Sequence, residues 1–328
     1  MGYWEDQKVL VTGGCGMIGS YLVEELVGAG AEVYIVDNLD RGKLENIASV
    51  LAQVYVKPAD LRDLGECLAA TKGMDVVMNL AAQAHGLGFN YTHQGETLYN
   101  NTILAMNMLE AAHLNEVERF LVVSSSLVYD DDTEPPLKES EWNVAKGLTG
   151  GGPDYGNRGY GWAKRLAEIQ ATYYAEQYGM GIAIVRPASI YGGRYRWLSD
   201  KSHAVPDLVR KVAGGDNPMV IWGSGEQRRN FVHGRDAARI MMLVTELYAC
   251  CDPVNLGYEE TVTLNELVDV ICNVANVYPE IIHDTTKPEG RLLRSMDSTL
   301  LRAVTGYTPE ISLPQGIGEV VDAFRRQQ

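Results

Sequence analysis

Two residues one helical turn apart give the chain its first chemical signal. In Y-G-W-A-K, Tyr160 and Lys164 stand at i and i+4, on one face of a helix. An ammonium so placed can lower the phenol's pKa, and the phenolate can take a sugar hydroxyl proton while a nicotinamide takes the hydride from the same carbon. Y-x-x-x-K alone also describes many solvated helix faces. Its context singles it out, because S-S-S-L-V-Y (124–129) ends an apolar run upstream and sets serines at the carboxyl edge of a sheet, where α/β ligands bind. A second signal, G-G-C-G-M-I-G, follows K-V-L-V-T. Gly13, Gly16 and Gly19, with Met17 and Ile18 opening a helix, offer backbone N–H groups and a positive helix end to a pyrophosphate. The next β run ends at Asp37, followed by Asn38. A carboxylate there accepts hydrogen bonds from an adenosine ribose and repels a 2′-phosphate, so NAD is expected over NADP, while Arg41 nearby keeps NADP open. Asp60 and Leu61, after the third β run, are assigned to the adenine, the alternative for Asp60 being a helix cap.

The elements that must position these residues read as an α/β fold. Strands are expected at 8–12, 32–36, 53–57, 75–80, 119–124 and 181–186, with helices at about 17–29, 62–71, 96–114 and 160–178. This alternation predicts a Rossmann-type, doubly wound parallel sheet. From Pro187 the pattern turns to Gly-, Arg- and Trp-rich loops and short mixed elements. The expected division is a NAD-binding domain over 1–186 with a returning segment at about 232–258, and a smaller mixed α/β substrate domain over 187–231 and 259–328. The stretch from Asp130 to Asn157 reads as one long functional loop.

With 28 Lys plus Arg against 43 Asp plus Glu, the net charge of −15 argues against nucleic acid as a partner. Five cysteines without a C-x-x-C pair predict reduced thiols, no disulfide framework and no metal site. No apolar run is long enough to cross a membrane, and the N-terminal residues lack a signal-peptide pattern, so a cytoplasmic location with no membrane partner is expected.

Taken in order, G-G-C-G-M-I-G, N-L-A-A-Q, S-S-S-L-V-Y, Y-G-W-A-K and R-P-A-S-I-Y-G resemble the motifs of extended short-chain dehydrogenases, over nearly the whole chain. The resemblance implies a Ser125, Tyr160 and Lys164 triad, since the family's Ser or Thr lies four residues before the motif tyrosine, here Tyr129. It places Leu80, Ala81 and Ala82 along the cofactor, Pro187 beside the nicotinamide and Asn101 near the reaction site. Within the family, residues 79–89 and 99–112 look most like the GDP-mannose 3,5-epimerase branch, and S-H-A-V-P (202–206) like the GDP-fucose synthase branch. Those branches move carbon-bound protons with a Cys two residues before the motif Tyr and a Lys or His in the second-domain loop. His203 matches the latter, whereas Leu127 stands at the Cys position and cannot carry a proton.

The resemblance further implies a substrate site with Gly88, Ser126 and Ser189, and with Arg229, Arg294 and Arg291 on a diphosphate, which arginine suits through its paired donors. Arg194, Arg196 and Trp197 are placed along the nucleotide or sugar pocket. The implied activity is NAD-dependent epimerisation of a nucleotide sugar, a GDP-hexose, through a transient 4-keto sugar. Alternatives are 4-epimerisation, 4-oxidation, 4-ketoreduction, dehydration, or a NAD-sensing protein without catalysis. A homodimer is expected through the 96–114 and 160–178 helices, using Leu104, Met108, Ala111, Ala167, Ala171 and Tyr174.

Overall fold

The computed structural model describes residues 2–144, 157–197, 202–287 and 291–328. In chain order its elements are β1 (Lys8–Thr12), α1 (Met17–Gly28), β2 (Glu32–Asp37), β3 (Tyr55–Pro58), α2 (Leu64–Thr71), β4 (Val76–Asn79), α3 (Leu87–Thr92), α4 (Gln94–Leu114), β5 (Arg119–Val123), α5 (Arg158–Tyr178), β6 (Gly181–Pro187) and β7 (Ser189–Tyr191). There follow α6 (Ala204–Ala213), β8 (Met219–Trp222), β9 (Arg228–Arg229), β10 (Phe231–His233), α7 (Gly234–Leu247), β11 (Cys250–Leu256), β12 (Val262–Thr263), α8 (Leu264–Ala275), β13 (Ile281–Asp284), β14 (Leu293–Arg294), α9 (Thr299–Thr305) and α10 (Leu313–Arg325).

Seven parallel strands form the large sheet in the order β11-β6-β5-β4-β1-β2-β3. The fold is the doubly wound Rossmann-type sheet that the alternation predicts. Its strands are apolar on both faces because helices cover both. Val9, Val11, Val76, Met78, Leu121, Ala183 and Val185 point toward α1 and α7, while Leu10, Val77, Phe120, Val122, Ile182 and Ile184 point toward α2, α4 and α5. The strand order reverses between β1 and β4, and a crevice opens there at the carboxyl ends, where the glycine loop, the 80–86 segment and Ser125 emerge.

A smaller mixed unit adjoins that edge. α6, α8 and α10 pack Val205, Leu208, Val209, Leu267, Ile271, Ile317, Val320 and Phe324 into a separate core, beside the pairs β7–β10 and β8–β13 and the three-stranded β12-β9-β14. α8 starts with a capping box, in which Thr263 Oγ1 accepts from Glu266 N–H and Glu266 accepts from Thr263 N–H. Between these small sheets the chain returns to the large one as α7 and β11.

One expectation needs correction. Of the residues named for a subunit seam, Leu104, Met108, Ala111, Ala167 and Ala171 are turned inward and buried against the sheet, and Tyr174 is half-buried with its hydroxyl donating to Glu110. The large exposed side chains of α4 and α5 are Tyr99, Met106, Leu114, Tyr173 and Tyr178. The 130–157 stretch, as far as residue 144, is held by buried arginines and lays Leu137 beside Met296 in a bridge. Its remainder, 145–156, lies outside the described residues. Among the described residues no helix is long and apolar enough to cross a membrane.

Candidate active site

The cofactor cradle is built by exclusion of side chains. Gly13 has φ +67°, and a Cβ on Gly19 would lie 2.2 Å from Gly13 O, so α1 packs directly on the turn only because residue 19 is glycine. Gly16, the N-cap of α1, has no side-chain cap, and the first turn with Met17 and Ile18 holds no acidic residue. The N–H groups there are available to an anion. Asp37 ends β2 and is buried. Its Oδ2 accepts from Cys15 N–H at 3.0 Å and its Oδ1 from Leu39 N–H at 2.9 Å, while burial raises its pKa. Each carboxylate oxygen has a further lone pair. Asn38 is exposed and accepts from Asp40 N–H.

The floor of the groove is held from below. Thr12 Oγ1 accepts from Ala81 N–H at 2.9 Å and donates to Asn79 Oδ1 at 2.7 Å. Asn101 is buried in α4; its Oδ1 accepts from Gln83 N–H at 2.9 Å and its Nδ2 donates to Gln83 O at 3.2 Å. These bonds fix Leu80, Ala81 and Ala82 in the crevice, so in this structure Asn101 acts on the backbone. Asp60 pairs with Arg62 at 2.5 Å, and the cap of α2 is Asp63. Leu61 lies in the core, and its carbonyl accepts from Cys67 Sγ at 3.1 Å. Pro187 closes β6 and pairs in register with Leu256. A cradle closed to side chains, with uncapped N–H groups and a carboxylate eighteen residues beyond Gly19, fits a dinucleotide.

On the reaction side, Tyr160 and Lys164 lie in the first turns of α5, with Nζ 5.3 Å from the tyrosine ring centroid. Lys164 Nζ donates to Val123 O at 2.7 Å. Burial pulls the Lys164 ammonium down to about 8, against the Glu168 charge. The electrostatics of Tyr160 depart from expectation: burial pushes it up to about 12, and the charge opposing that rise is Arg41. Ser125 leaves β5 and its Oγ accepts from Leu127 N–H at 3.1 Å, starting a short turn that buries Ser126. The hydroxyl hydrogen of Ser125 remains to donate.

A buried polar network supports this turn. Arg186 meets Glu168 at 2.7 Å, and donates to Tyr129 Oη and to the carbonyls of Glu139 and Trp142 at 2.9–3.1 Å. Glu168 also accepts from Ser124 Oγ. Arg165 donates to Val128 O and pairs with Asp130 at 2.6 Å. Sequence reasoning missed these residues. The available signal was the arginine closing the apolar run I-A-I-V-R-P, since a charge in a fully covered strand requires a buried partner.

His203 N-caps α6 beside residues 198–201, which lie outside the described set. Crowding by the cleft walls, then Arg41, lowers its imidazole to about 4, with His85 adding to the effect and the Ala84 backbone opposing it. Its surface nevertheless opens to solvent, which moderates that shift. Arg229 and Arg294 are register partners on β9 and β14 and share a sheet face, and Arg291 precedes Arg294 on the same segment. Ser189 pairs with Phe231. Gly88, on α3, faces Trp222 of β8, its absent Cβ 3.9 Å from the indole edge. Two weaker assignments change: Arg194 is tied to Glu24 at 2.6 Å and lies 4.0 Å over the Tyr21 ring, and Trp197 packs on Phe324 in the core of the smaller unit.

Comparison with known proteins agrees with this architecture. The profile of the NAD dependent epimerase/dehydratase family matches residues 9–257. GDP-mannose 3,5-epimerase 1 of Oryza sativa subsp. japonica is 31% identical over 318 residues, covering 96% of this chain and 81% of that protein. GDP-L-fucose synthase of Escherichia coli is 28% identical over 335 residues, covering 98% of each. Among solved structures, Thermus thermophilus UDP-glucose 4-epimerase in complex with NAD superposes with a TM-score of 0.82 at 26% identity, over 97% of this chain and 99% of that one. A dinucleotide cradle, a Tyr–Lys pair at the crevice and a family match over most of the sheet lead to one conclusion: the chain belongs to the NAD dependent epimerase/dehydratase family and is a NAD-dependent enzyme.

Proposed function

We propose that the protein is a nucleotide-sugar epimerase that acts through a transient 4-keto sugar, on a GDP-hexose, with inversion at one carbon beside the ketone. The observation that carries the reading is the placement of Tyr160 and Lys164 on α5 against the end of β5, next to the Ser125 turn and the crevice. NAD, held by Gly13, Gly16, Gly19, Asp37 and the 80–82 segment, supplies the hydride acceptor and donor for carbon 4. Tyr160 takes the carbon-4 hydroxyl proton and later returns it, and Ser125 donates a hydrogen bond to the same oxygen. The ketone makes neighbouring C–H bonds acidic. His203, kept unprotonated at neutral pH, accepts one such proton; leucine at 127 supplies no side-chain acid to the opposite face, so in this reading water delivers the proton there that completes the inversion, and one centre inverts.

Arg229, Arg294 and Arg291 take the diphosphate, with Gly88, Ser126 and Ser189 lining the sugar and phosphate path. The GDP assignment is supported by the rice and Escherichia coli relatives, both named for GDP sugars. A homodimer and a cytoplasmic location complete the proposal. Leu127 favours one second reading, simple 4-epimerisation, which needs no carbon-acid chemistry. The test is a screen of GDP-, UDP-, CDP- and dTDP-hexoses on the NAD-loaded protein, following reduced-nicotinamide absorbance and product configuration. Turnover of a GDP-hexose alone supports the proposal, and turnover confined to another nucleotide overturns the GDP assignment.

A further inference from the structure

The loop after β2 folds back over the glycine turn and is clamped there. A Cβ on Gly42 would lie 2.7 Å from Asp37 Oδ2 and 2.8 Å from Cys15 Cβ. Lys43 N–H donates to Cys15 O at 3.0 Å, and Asn46 Nδ2 donates to Cys15 O at 2.8 Å and to Arg194 O at 3.3 Å. Held this way, the loop sends Arg41 toward the reaction side, where Nη1 lies 3.4 Å from His85 Nδ1. The charged and titratable groups around its guanidinium are Asp40 from the same loop, Tyr160 from α5, and Tyr195 and Arg196 from the segment after β7. His203, at the start of α6, feels both Arg41 and His85.

We infer that Arg41 is a positioning residue of the reaction centre, placed among Tyr160, His85 and His203, and not a reader of phosphate at the adenosine end of the cofactor. The inference rests on the roles proposed above for Tyr160 and His203. A guanidinium stays charged at every working pH and can only donate. His85 Nδ1 is therefore the acceptor, and the ring hydrogen sits on Nε2, so a neutral imidazole presents an N–H donor. The same fixed charge favours the tyrosinate over the phenol and the neutral over the protonated form of His203. Lys164 Nζ is meanwhile committed to Val123 O. The electrostatic task that Y-x-x-x-K assigns to lysine is thus shared by an arginine from a different loop.

The test compares NAD-loaded wild type, Arg41→Gln and Arg41→Lys by histidine nitrogen NMR titration, with His203→Gln assigning the resonance. The proton affinity of His203 is expected to rise at least about threefold in Arg41→Gln and to stay near wild type in Arg41→Lys. The preference for NAD over NADP in binding is expected to be the same in all three. An unmoved His203 midpoint in Arg41→Gln, or a shift in cofactor preference of about tenfold, overturns the inference. Neither readout needs a sugar substrate, so failure of the epimerase reading leaves this result standing, and the converse also holds.

Discussion

Replacing Glu168 by Gln tests whether the network under the Ser125 turn is held by charge. Glu168 is 2% exposed and its partner Arg186 0%, and they meet at 2.7 Å. Removing one member of a buried pair costs about 3–5 kcal/mol, because the other charge is left uncompensated. Here Arg186 keeps Tyr129 Oη and two backbone carbonyls, and Gln keeps an acceptor oxygen, which places the expected loss near the lower bound, about 3 kcal/mol. Unfolding entropy of about 2.1 cal/mol/K per residue converts this, for a chain of 328 residues, into a fall in Tm of about 4 °C. The assay is guanidinium unfolding followed by tryptophan fluorescence, since Trp142 lies against Arg186, its ring 5.3 Å from the guanidinium carbon. Glu168→Leu with Arg186→Met should not recover the loss, because it leaves Ser124 Oγ and the Glu139 and Trp142 carbonyls without the partners they have in the network. A single variant within about 1 kcal/mol of wild type would refute the reasoning and reduce the pair to packing.

Gly19→Ala should abolish NAD retention, because its Cβ would meet Gly13 O at 2.2 Å; NAD released on denaturation in wild-type amount would count against the cradle. Lys164 should make stability rise with pH from about 8 toward the ordinary lysine value, because across that window the unfolded chain holds a proton the folded chain has lost. Lys164→Met should flatten this rise in urea midpoints measured between those limits, and an unchanged slope would assign it to other groups. Light scattering at micromolar concentration should give a dimer mass that falls on substituting Tyr99 or Tyr173 of the exposed α4 and α5 surface by Lys, whereas a monomeric wild type rejects that interface.

Most of the sheet was legible because its strands carry the signal on which pattern reading depends. Apolar runs such as K-V-L-V-T and F-L-V-V end at glycine or serine turns, and six strands were expected within about two residues of where they lie. β11 was harder: C-C-D-P-V-N-L has proline and aspartate, tolerated at a sheet edge with an irregular register between Cys250 and Pro253. Only its last residues are deeply buried, and Asn255 there is held by Tyr129 and Leu137 O. The amphipathic helices misled in one respect. Their apolar stripes are real, but sequence does not say whether a stripe meets a sheet or another subunit, and Leu104 and Met108 meet the sheet. The cofactor turn was readable since glycine there has a local steric reason. The position of Arg41 was not, because it depends on how a loop folds over Cys15 and where a residue 44 positions away has come to lie.

The most direct test of the epimerase account is incubation of the NAD-loaded protein with GDP-mannose in heavy water, with carbon-bound deuterium in recovered sugar read by NMR and mass. Wild type should place deuterium at a single carbon next to carbon 4. Tyr160→Phe should place none and form no NADH, and His203→Ala should form NADH transiently without deuterium uptake. Wild type that turns over the sugar without ever exchanging a carbon-bound proton, or a His203→Ala variant that exchanges at the wild-type rate, would contradict the account and leave chemistry at carbon 4 alone.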